Sequence, residues 1–147
     1  MNNYPKLNFP AIRLRAQRVR DDIYVWDALR QKFLLLTPEE WVRRHAIEHL
    51  VSSCNVEPHS IVQEYQVNLN GTAQRADIVV VGRDCQPSIL VECKAPEVKI
   101  DKAVLDQAMR YNAVVKARYV VLTNGLKHYC YERTDEDYRP MAEFPRL

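Results

Sequence analysis

Three charged side chains interrupt two apolar, β-branched segments within residues 75–100. Asp77 lies in the first segment, and Glu92 and Lys94 lie in the second. The polar stretch between them is typical of a hairpin turn. If the hairpin is symmetric about residues 84–85, Asp77 lies opposite Glu92, and the Cβ atoms of such a pair are about 5 Å apart.

The types of these side chains predict a chemistry. Side chains alternate between the two faces of a strand, so Glu92 and Lys94 share a face, while Cys93 points the other way as a buried thiol. Mg²⁺ takes oxygen ligands, and in proteins one or two carboxylates and substrate phosphate oxygens typically hold it. We therefore expect phosphodiester hydrolysis with Mg²⁺, for which Mn²⁺ can substitute.

The length of 147 residues is that of one domain with one sizeable core. We expect an N-terminal β extension over residues 1–36, a core over 37–132, and a loosely packed tail over 133–147. The net charge of +2 says little about partners. The arginines are uneven, however: four lie within residues 13–20, and Arg43 and Arg44 are adjacent, which leaves room for a local positive surface. For the arginines of the first strand, a solvated edge and a phosphate-facing surface both remain open.

The four cysteines form no CxxC pair, so free thiols in a reducing cytosol are expected. There is no secretory leader and no apolar run of the roughly 20 residues that a membrane helix needs. The sequence thus predicts a cytoplasmic protein that does not interact with a membrane.

Hydrophobic periodicity and turn residues predict the order hairpin, α, β, β, β, α, β, β. A hairpin region is expected within residues 11–36, helices over 38–53 and 101–116, and strands over 61–69, 75–81, 88–94, 119–123 and 127–132, the last as an edge strand. Thr37 is the predicted N-cap of the first helix, and Glu40 completes its capping box. Because a helix separates the third and fourth core strands, we expect a mixed sheet flanked by helices, in the α/β (α+β) class.

This ordered set resembles the PD-(D/E)XK nuclease fold. It is more specifically similar to the N-terminal nuclease domain of type I restriction enzyme R subunits, over roughly residues 33–132. The segments that carry the resemblance are Arg75-Ala76-Asp77, Val91-Glu92-Cys93-Lys94-Ala95-Pro96, Gln107 with Tyr111, and Leu122-Thr123-Asn124-Gly125.

The resemblance implies a metal-dependent DNA endonuclease. Asp77 and Glu92 would hold the metal, and Lys94 would act on the attacking water and on the developing negative charge. Gln107 and Tyr111 lie four residues apart on one helix face and would contact DNA or support the site; a Tyr packed in the core with a boundary Gln is the alternative.

A further acidic residue on the first helix commonly completes the metal site in this fold. Glu40 resembles that position and is carried as a tentative ligand, although its capping role explains it fully. Glu48 is expected on the surface.

Nothing in the chain resembles the Walker A loop of the R-subunit translocase, so we expect a nuclease-like domain that acts on DNA with a separate motor or restriction-system subunit. Two alternatives remain open. One is a catalytically silent module on the same fold that binds nucleic acid or a partner; the other is a purely structural cluster of ion pairs. The sequence does not indicate an oligomeric state.

Overall fold

Two β-sheets and two helices of at least 14 residues form the computed structural model, which describes residues 4–147. A single turn of 3₁₀ helix, Pro58–Ser60, precedes the larger sheet. In chain order the elements are β1 (Ala16–Val19), β2 (Asp22–Asp27), β3 (Lys32–Leu35), α1 (Pro38–Ser53), β4 (Ile61–Leu69), β5 (Thr72–Val81), β6 (Pro87–Cys93), α2 (Lys102–Val115), β7 (Tyr119–Thr123), β8 (His128–Arg133) and β9 (Tyr138–Met141). Within residues 4–147, no helix combines the length and the apolar character that a bilayer crossing requires.

The larger sheet has six strands in the order β4-β5-β6-β7-β8-β9. β6 and β7 are parallel because α2 connects them as a crossover, and the other four pairings are antiparallel. The predicted mixed α+β sheet is therefore confirmed. The prediction of β8 as an edge strand and of a loosely packed tail was wrong: β9 pairs with β8, and Phe144 packs into the core.

Local sequence signals set the bounds of both helices. The Thr37 hydroxyl accepts a hydrogen bond from the Glu40 amide at 3.1 Å, and Pro38 occupies the first turn, so α1 begins where the sequence predicts. Asp101 caps α2 in the same way, with a 3.1 Å bond from the Val104 amide. The hairpin β4–β5 turns at Asn70 and Gly71, whose φ angles of 49° and 77° suit a type I′ turn.

The two helices cover opposite faces of the larger sheet. The apolar side of α1, formed by Val42, Ala46, Ile47 and Leu50, is buried against side chains of β5, β6 and β7. These include Ile78, Val91 and Val121. Alternate side chains of the same strands, such as Leu90 and Leu122, pack against α2. Because both faces of the central strands are covered, a charged side chain at their ends is drawn out of water.

The N-terminal β extension is a separate three-stranded antiparallel sheet, β1-β2-β3. Asp27, 1% exposed at the end of β2, connects it to the rest of the chain. Its carboxylate accepts hydrogen bonds from Arg30 Nε (2.6 Å) and Gln63 Nε2 (2.9 Å) and forms an ion pair with Arg44 at 3.2 Å. Burial alone would raise the pKa of Asp27, but these bonds and charges lower it below its usual value. One carboxylate thus joins the small sheet to α1 and β4.

Replacing Asp27 should reveal that role. We expect Asp27→Asn to lower the free energy of unfolding by about 3 kcal/mol in urea titrations at pH 7, because it leaves the buried Arg44 without one of its carboxylate partners. The matched control is Asp22→Asn, which removes an exposed acid from the same strand and should change the free energy by less than about 0.5 kcal/mol. Equal effects of the two substitutions would contradict the anchoring role.

Candidate functional site

The antiparallel pairing of β5 and β6 brings the two predicted carboxylates together. The observed pairs Ile78–Val91, Val79–Leu90 and Val80–Ile89 continue to Asp77 opposite Glu92. The Asp77 amide donates a 3.0 Å hydrogen bond to Glu92 Oε1. The register assumed from the sequence is therefore confirmed. It places Asp77 in the middle of β5 and Glu92 one residue before the end of β6, each next to a fully buried stretch of its strand.

The Asp77 carboxylate is held by two donors from different elements. Oδ2 accepts a 2.7 Å hydrogen bond from the Cys93 amide, which is where β6 ends. Oδ1 accepts a 3.2 Å hydrogen bond from Arg43, which reaches it from α1. These two bonds fix the orientation of the carboxylate without filling all of its acceptor positions.

Burial makes it costly for both acids to be ionised together. Burial is the main cause that raises the pKa of Glu92 to about 8, and the negative charge of Asp77 adds to it. Burial also raises the pKa of Asp77, against the opposing effects of Arg43 and of the Cys93 amide. Burial thus favours a proton on the pair over the ionisation of both carboxylates.

Lys94 follows directly at the end of β6. Its amide donates a 2.9 Å bond to the Thr123 carbonyl, which ties this residue to the end of β7. The side chain is half-exposed, and its positive charge acts to lower the pKa of Asp77, Glu92 and Glu39. Across residues 4–147, no carboxylate oxygen lies within 4 Å of its ammonium. The ammonium is thus available to a ligand beside the acidic pair.

Glu39, which sequence reasoning missed, is the acid of α1 that interacts with this pair. Its Oε1 accepts a 3.3 Å hydrogen bond from Arg43, the same guanidinium that contacts Asp77. Burial raises the pKa of Glu39, and the charge of Asp77 raises it further. A sequence signal existed, because residues 39 and 43 share a helix face, but it depended on knowing that Arg43 reaches Asp77.

Glu40, the tentative ligand, is turned toward the two arginines of α1. Its carboxylate lies 3.1 Å from Arg43 and 3.2 Å from Arg44 Nε, the second contact being an ion pair without hydrogen-bond alignment. Its amide donates the predicted hydrogen bond to the Thr37 hydroxyl, but its carboxylate does not accept one from the Thr37 amide because the two arginines engage it. The prediction that Glu40 completes a capping box was therefore wrong. Glu48 is exposed, as expected.

Arg43 and Arg44 do not form the local positive surface that the sequence left open. They are only 7% and 5% exposed, because each is surrounded by acids from several elements. Arg44 contacts Asp27 and Glu40, and Arg43 contacts Glu40 and Asp77. A continuous chain of ion pairs therefore runs from the N-terminal sheet through α1 to the acidic pair.

Gln107 and Tyr111 form a local pair on α2. The Gln107 amide nitrogen lies 3.0 Å from the Tyr111 hydroxyl, and Tyr111 is 5% exposed within the core on the α2 side of the sheet. Among the hydrogen bonds of residues 4–147, none joins either residue to Asp77, Glu92 or Lys94. The structure thus brings Asp77, Glu92 and Lys94 together. It places Gln107 and Tyr111 on the side of the larger sheet that α2 covers.

No group of three or more His, Cys, Asp or Glu side chains with the spacing of a metal site occurs within the part of the chain that the structure describes. The carboxylates that meet at this position and could hold a metal ion are those of Asp77 and Glu92. The carboxylate of Glu39 is hydrogen-bonded to Arg43.

The fold and site define a small α+β domain in which two neighbouring strands of the larger sheet bring a pair of carboxylates together. The chain belongs to the family described as the N terminus of the type I restriction enzyme R protein (HSDR_N), whose profile matches residues 38–145. The N-terminal sheet precedes the matched region.

A solved structure is similar in fold: a fragment assigned to the HsdR subunit of a type I restriction enzyme from Vibrio vulnificus YJ016. It superimposes with a TM-score of 0.57 at 21% sequence identity. The match covers 76% of this chain and 24% of the other, so the chain spans about a quarter of the length of that structure. No curated protein matches the sequence.

The raised pKa of Glu92 has a consequence for stability. Because the folded-state pKa lies above the unfolded value, the protonated carboxyl stabilises the fold at low pH, and this contribution is lost as the pH rises toward 8. Glu92→Gln mimics the protonated form at every pH. In chelator, we expect it to increase the free energy of unfolding relative to the native chain by on the order of 3 kcal/mol at pH 9 and by little at pH 5.

The control for this series is Glu97→Gln, at an exposed acid four residues beyond β6. Urea titrations at pH 5, 7 and 9 should show no pH-dependent gain for this variant. A gain for Glu92→Gln that does not change with pH would show that Glu92 has an ordinary pKa.

Proposed function

We propose that this chain is a Mg²⁺-dependent deoxyribonuclease domain with a PD-(D/E)XK-type site, in which Asp77 and Glu92 are ligands and Lys94 is the catalytic lysine. The observation that carries the proposal is the contact between Asp77 and Glu92, with Lys94 two residues after Glu92. Two acids that are drawn out of water side by side are costly to ionise together, and a divalent cation offsets that cost.

The donor set suits Mg²⁺. The donors are carboxylate oxygens from two residues, and this ion is typically held by one or two carboxylates, several waters and substrate phosphate oxygens. Once bound, the ion would lower the pKa of a coordinated water and polarise the scissile phosphate. Mn²⁺ takes the same oxygen ligands and is the expected substitute.

The protein's own residues contribute orientation and charge. The Cys93 amide orients the Asp77 carboxylate, and β6 ends at Cys93, so Lys94 follows two residues after Glu92. The ammonium of Lys94 would stabilise the negative charge that develops on the phosphate oxygens and hold a water or a phosphate oxygen by hydrogen bonding. Arg43 supplies the neutralising charge in the metal-free molecule, and its contacts with Glu39 and Glu40 leave it other partners when a cation binds.

Family membership supports two further parts of the proposal. The matched family is the R protein of type I restriction enzymes, so DNA is the proposed substrate and other restriction-system subunits are the proposed partners. We also propose a cytoplasmic location, because all four cysteines are free thiols.

Cleavage assays with purified protein test the role of Lys94. We expect the native chain to cut DNA with Mg²⁺ or Mn²⁺, and Lys94→Ala to lower the rate by at least about 100-fold, since it removes one charge that acts on the transition state. Lys99→Ala is the matched control, an exposed lysine five residues later that should keep the native rate. Unchanged cleavage by Lys94→Ala contradicts the mechanism.

The same preparations separate the ligands from the lysine. Mn²⁺ should raise the thermal unfolding temperature of the native chain and of Lys94→Ala but not that of Asp77→Asn, because only the last variant removes a ligand. DNA binding without cleavage under either cation would favour the second candidate, a silent binding module on the same fold. The buried acids make that candidate weaker, because a module that does not bind metal gains nothing from their cost.

A further inference from the structure

We propose that the outer face of the N-terminal sheet binds single-stranded nucleic acid. The face is built from alternate residues of the three strands β1, β2 and β3. Its members are Arg15, Gln17, Tyr24, Trp26, Phe33 and Leu35.

The pairing of the strands determines which side chains share this face. Trp26 lies opposite Phe33, and the Trp26 amide donates a 2.8 Å hydrogen bond to the Arg15 carbonyl just before β1. The intervening residues Val25 and Asp27 are 0% and 1% exposed, so they form the inner face that packs on the rest of the molecule. The row Arg15, Trp26 and Phe33 therefore faces outward.

Aromatic and cationic groups stack across this row. The Arg15 guanidinium lies 5.0 Å from the centre of the Trp26 ring and 5.3 Å from that of Phe33, and the two rings meet edge to face at 5.0 Å. Tyr24 occupies the next row, and Leu35 beside it is 45% exposed. Aromatic rings and arginine planes on an open sheet are platforms on which unpaired bases stack.

The charge around the platform specifies a polyanion rather than an apolar protein surface. Residues 1–36 hold seven Lys and Arg side chains against three Asp, whereas residues 37–147 hold fourteen against sixteen Asp and Glu. Asp27 is buried between Arg30 and Arg44, so only Asp21 and Asp22 oppose the exposed cations of this segment. Those exposed cations are Lys6, Arg13, Arg15, Arg18, Arg20 and Lys32. By the strand register, Arg15 and Asp22 are charged members of the face itself, and the other exposed cations belong to the same segment of the chain. An excess of cations on the segment that carries the aromatic rings suits the alternation of phosphate and base in a single strand.

The position of the sheet connects this surface to the acidic centre. Asp27 of β2 pairs with Arg44 of α1, and the chain of ion pairs continues through Glu40 and Arg43 to Asp77. A nucleic-acid strand held on the sheet would thus lie on an element fixed directly to α1, the helix whose Arg43 contacts Asp77. The inference itself does not require cleavage, because it rests on the charge and stacking groups of the sheet alone.

Binding of labelled dT₂₀, rU₂₀ and a 20-base-pair duplex in chelator tests the proposal by fluorescence anisotropy. We expect at least one of the two single strands to bind more tightly than the duplex. The comparison of dT₂₀ with rU₂₀ then shows whether the face prefers DNA or RNA. Trp26→Ala should weaken that binding about tenfold, and Trp26→Phe, which keeps a stacking ring, should restore most of it. Trp41→Phe is the control, because Trp41 belongs to α1, stacks on Tyr4 and lies outside the face.

A charge variant tests the contribution of the cations and remains informative if Trp26→Ala fails to fold. Arg13→Ala/Arg15→Ala, which removes two exposed arginines two residues apart, should reduce the slope of log affinity against log salt by about 1.4. Arg83→Ala, at an 85% exposed arginine on the β5–β6 turn, should leave the slope unchanged. Native affinity in both the tryptophan and arginine variants would overturn the proposal. The proposal would also be overturned if the duplex bound as tightly as the single strands or more tightly, and Trp26→Ala did not change that binding. The surface would then bind the phosphate backbone of nucleic acid without stacking on its bases. Because binding is measured in chelator, where metal-dependent cleavage does not occur, failure of the nuclease proposal is distinguishable from failure of this one.

Discussion

The buried contact between Asp77 and Glu92 is the interaction on which the arrangement of the site depends. The 3.0 Å bond from the Asp77 amide to Glu92 fixes the register of β5 on β6, and the bond from the Cys93 amide fixes the Asp77 carboxylate. Because ionising both acids is costly, Arg43 reaches the pair from α1 and becomes buried itself. The apolar packing on both faces of the larger sheet offsets the free-energy cost of burying this cluster of charges.

The burial of Arg43 extends the same constraint to the N-terminal sheet. A buried guanidinium needs several acceptors, and Glu40 serves both Arg43 and Arg44. Arg44 in turn requires Asp27, so β2 is held against α1 by the requirement that each buried charge have a partner. Charges that are unfavourable one at a time thus form a network that specifies how the small sheet, the helix and the central strands fit together.

The elements with local signals could be predicted from the sequence. The Thr37 cap, the turn at Asn70 and Gly71, and the alternation in β5 and β6 depend on neighbours in the chain, and they place the helices, the strands and the opposed acids correctly. The burial of Arg43 could not be predicted, because its partner Asp77 is 34 residues away. The role of Glu39 was missed for the same reason, because it depends on the contact between Arg43 and Asp77. The strand β9 was missed although its pairing with β8 is local, because Pro140 within so short a segment argues against a strand and is tolerated only at the edge of a sheet.

The central claim is that Asp77 and Glu92 form a divalent-cation site. Anomalous diffraction from crystals of the protein soaked in Mn²⁺ tests it most directly, because it locates the ion independently of activity. The account predicts a single strong peak within about 2.5 Å of oxygens of both carboxylates, with Arg43 no longer bonded to Asp77. A map without a peak there, with Arg43 still bonded to Asp77, would contradict it and leave the acids as part of a structural network of ion pairs.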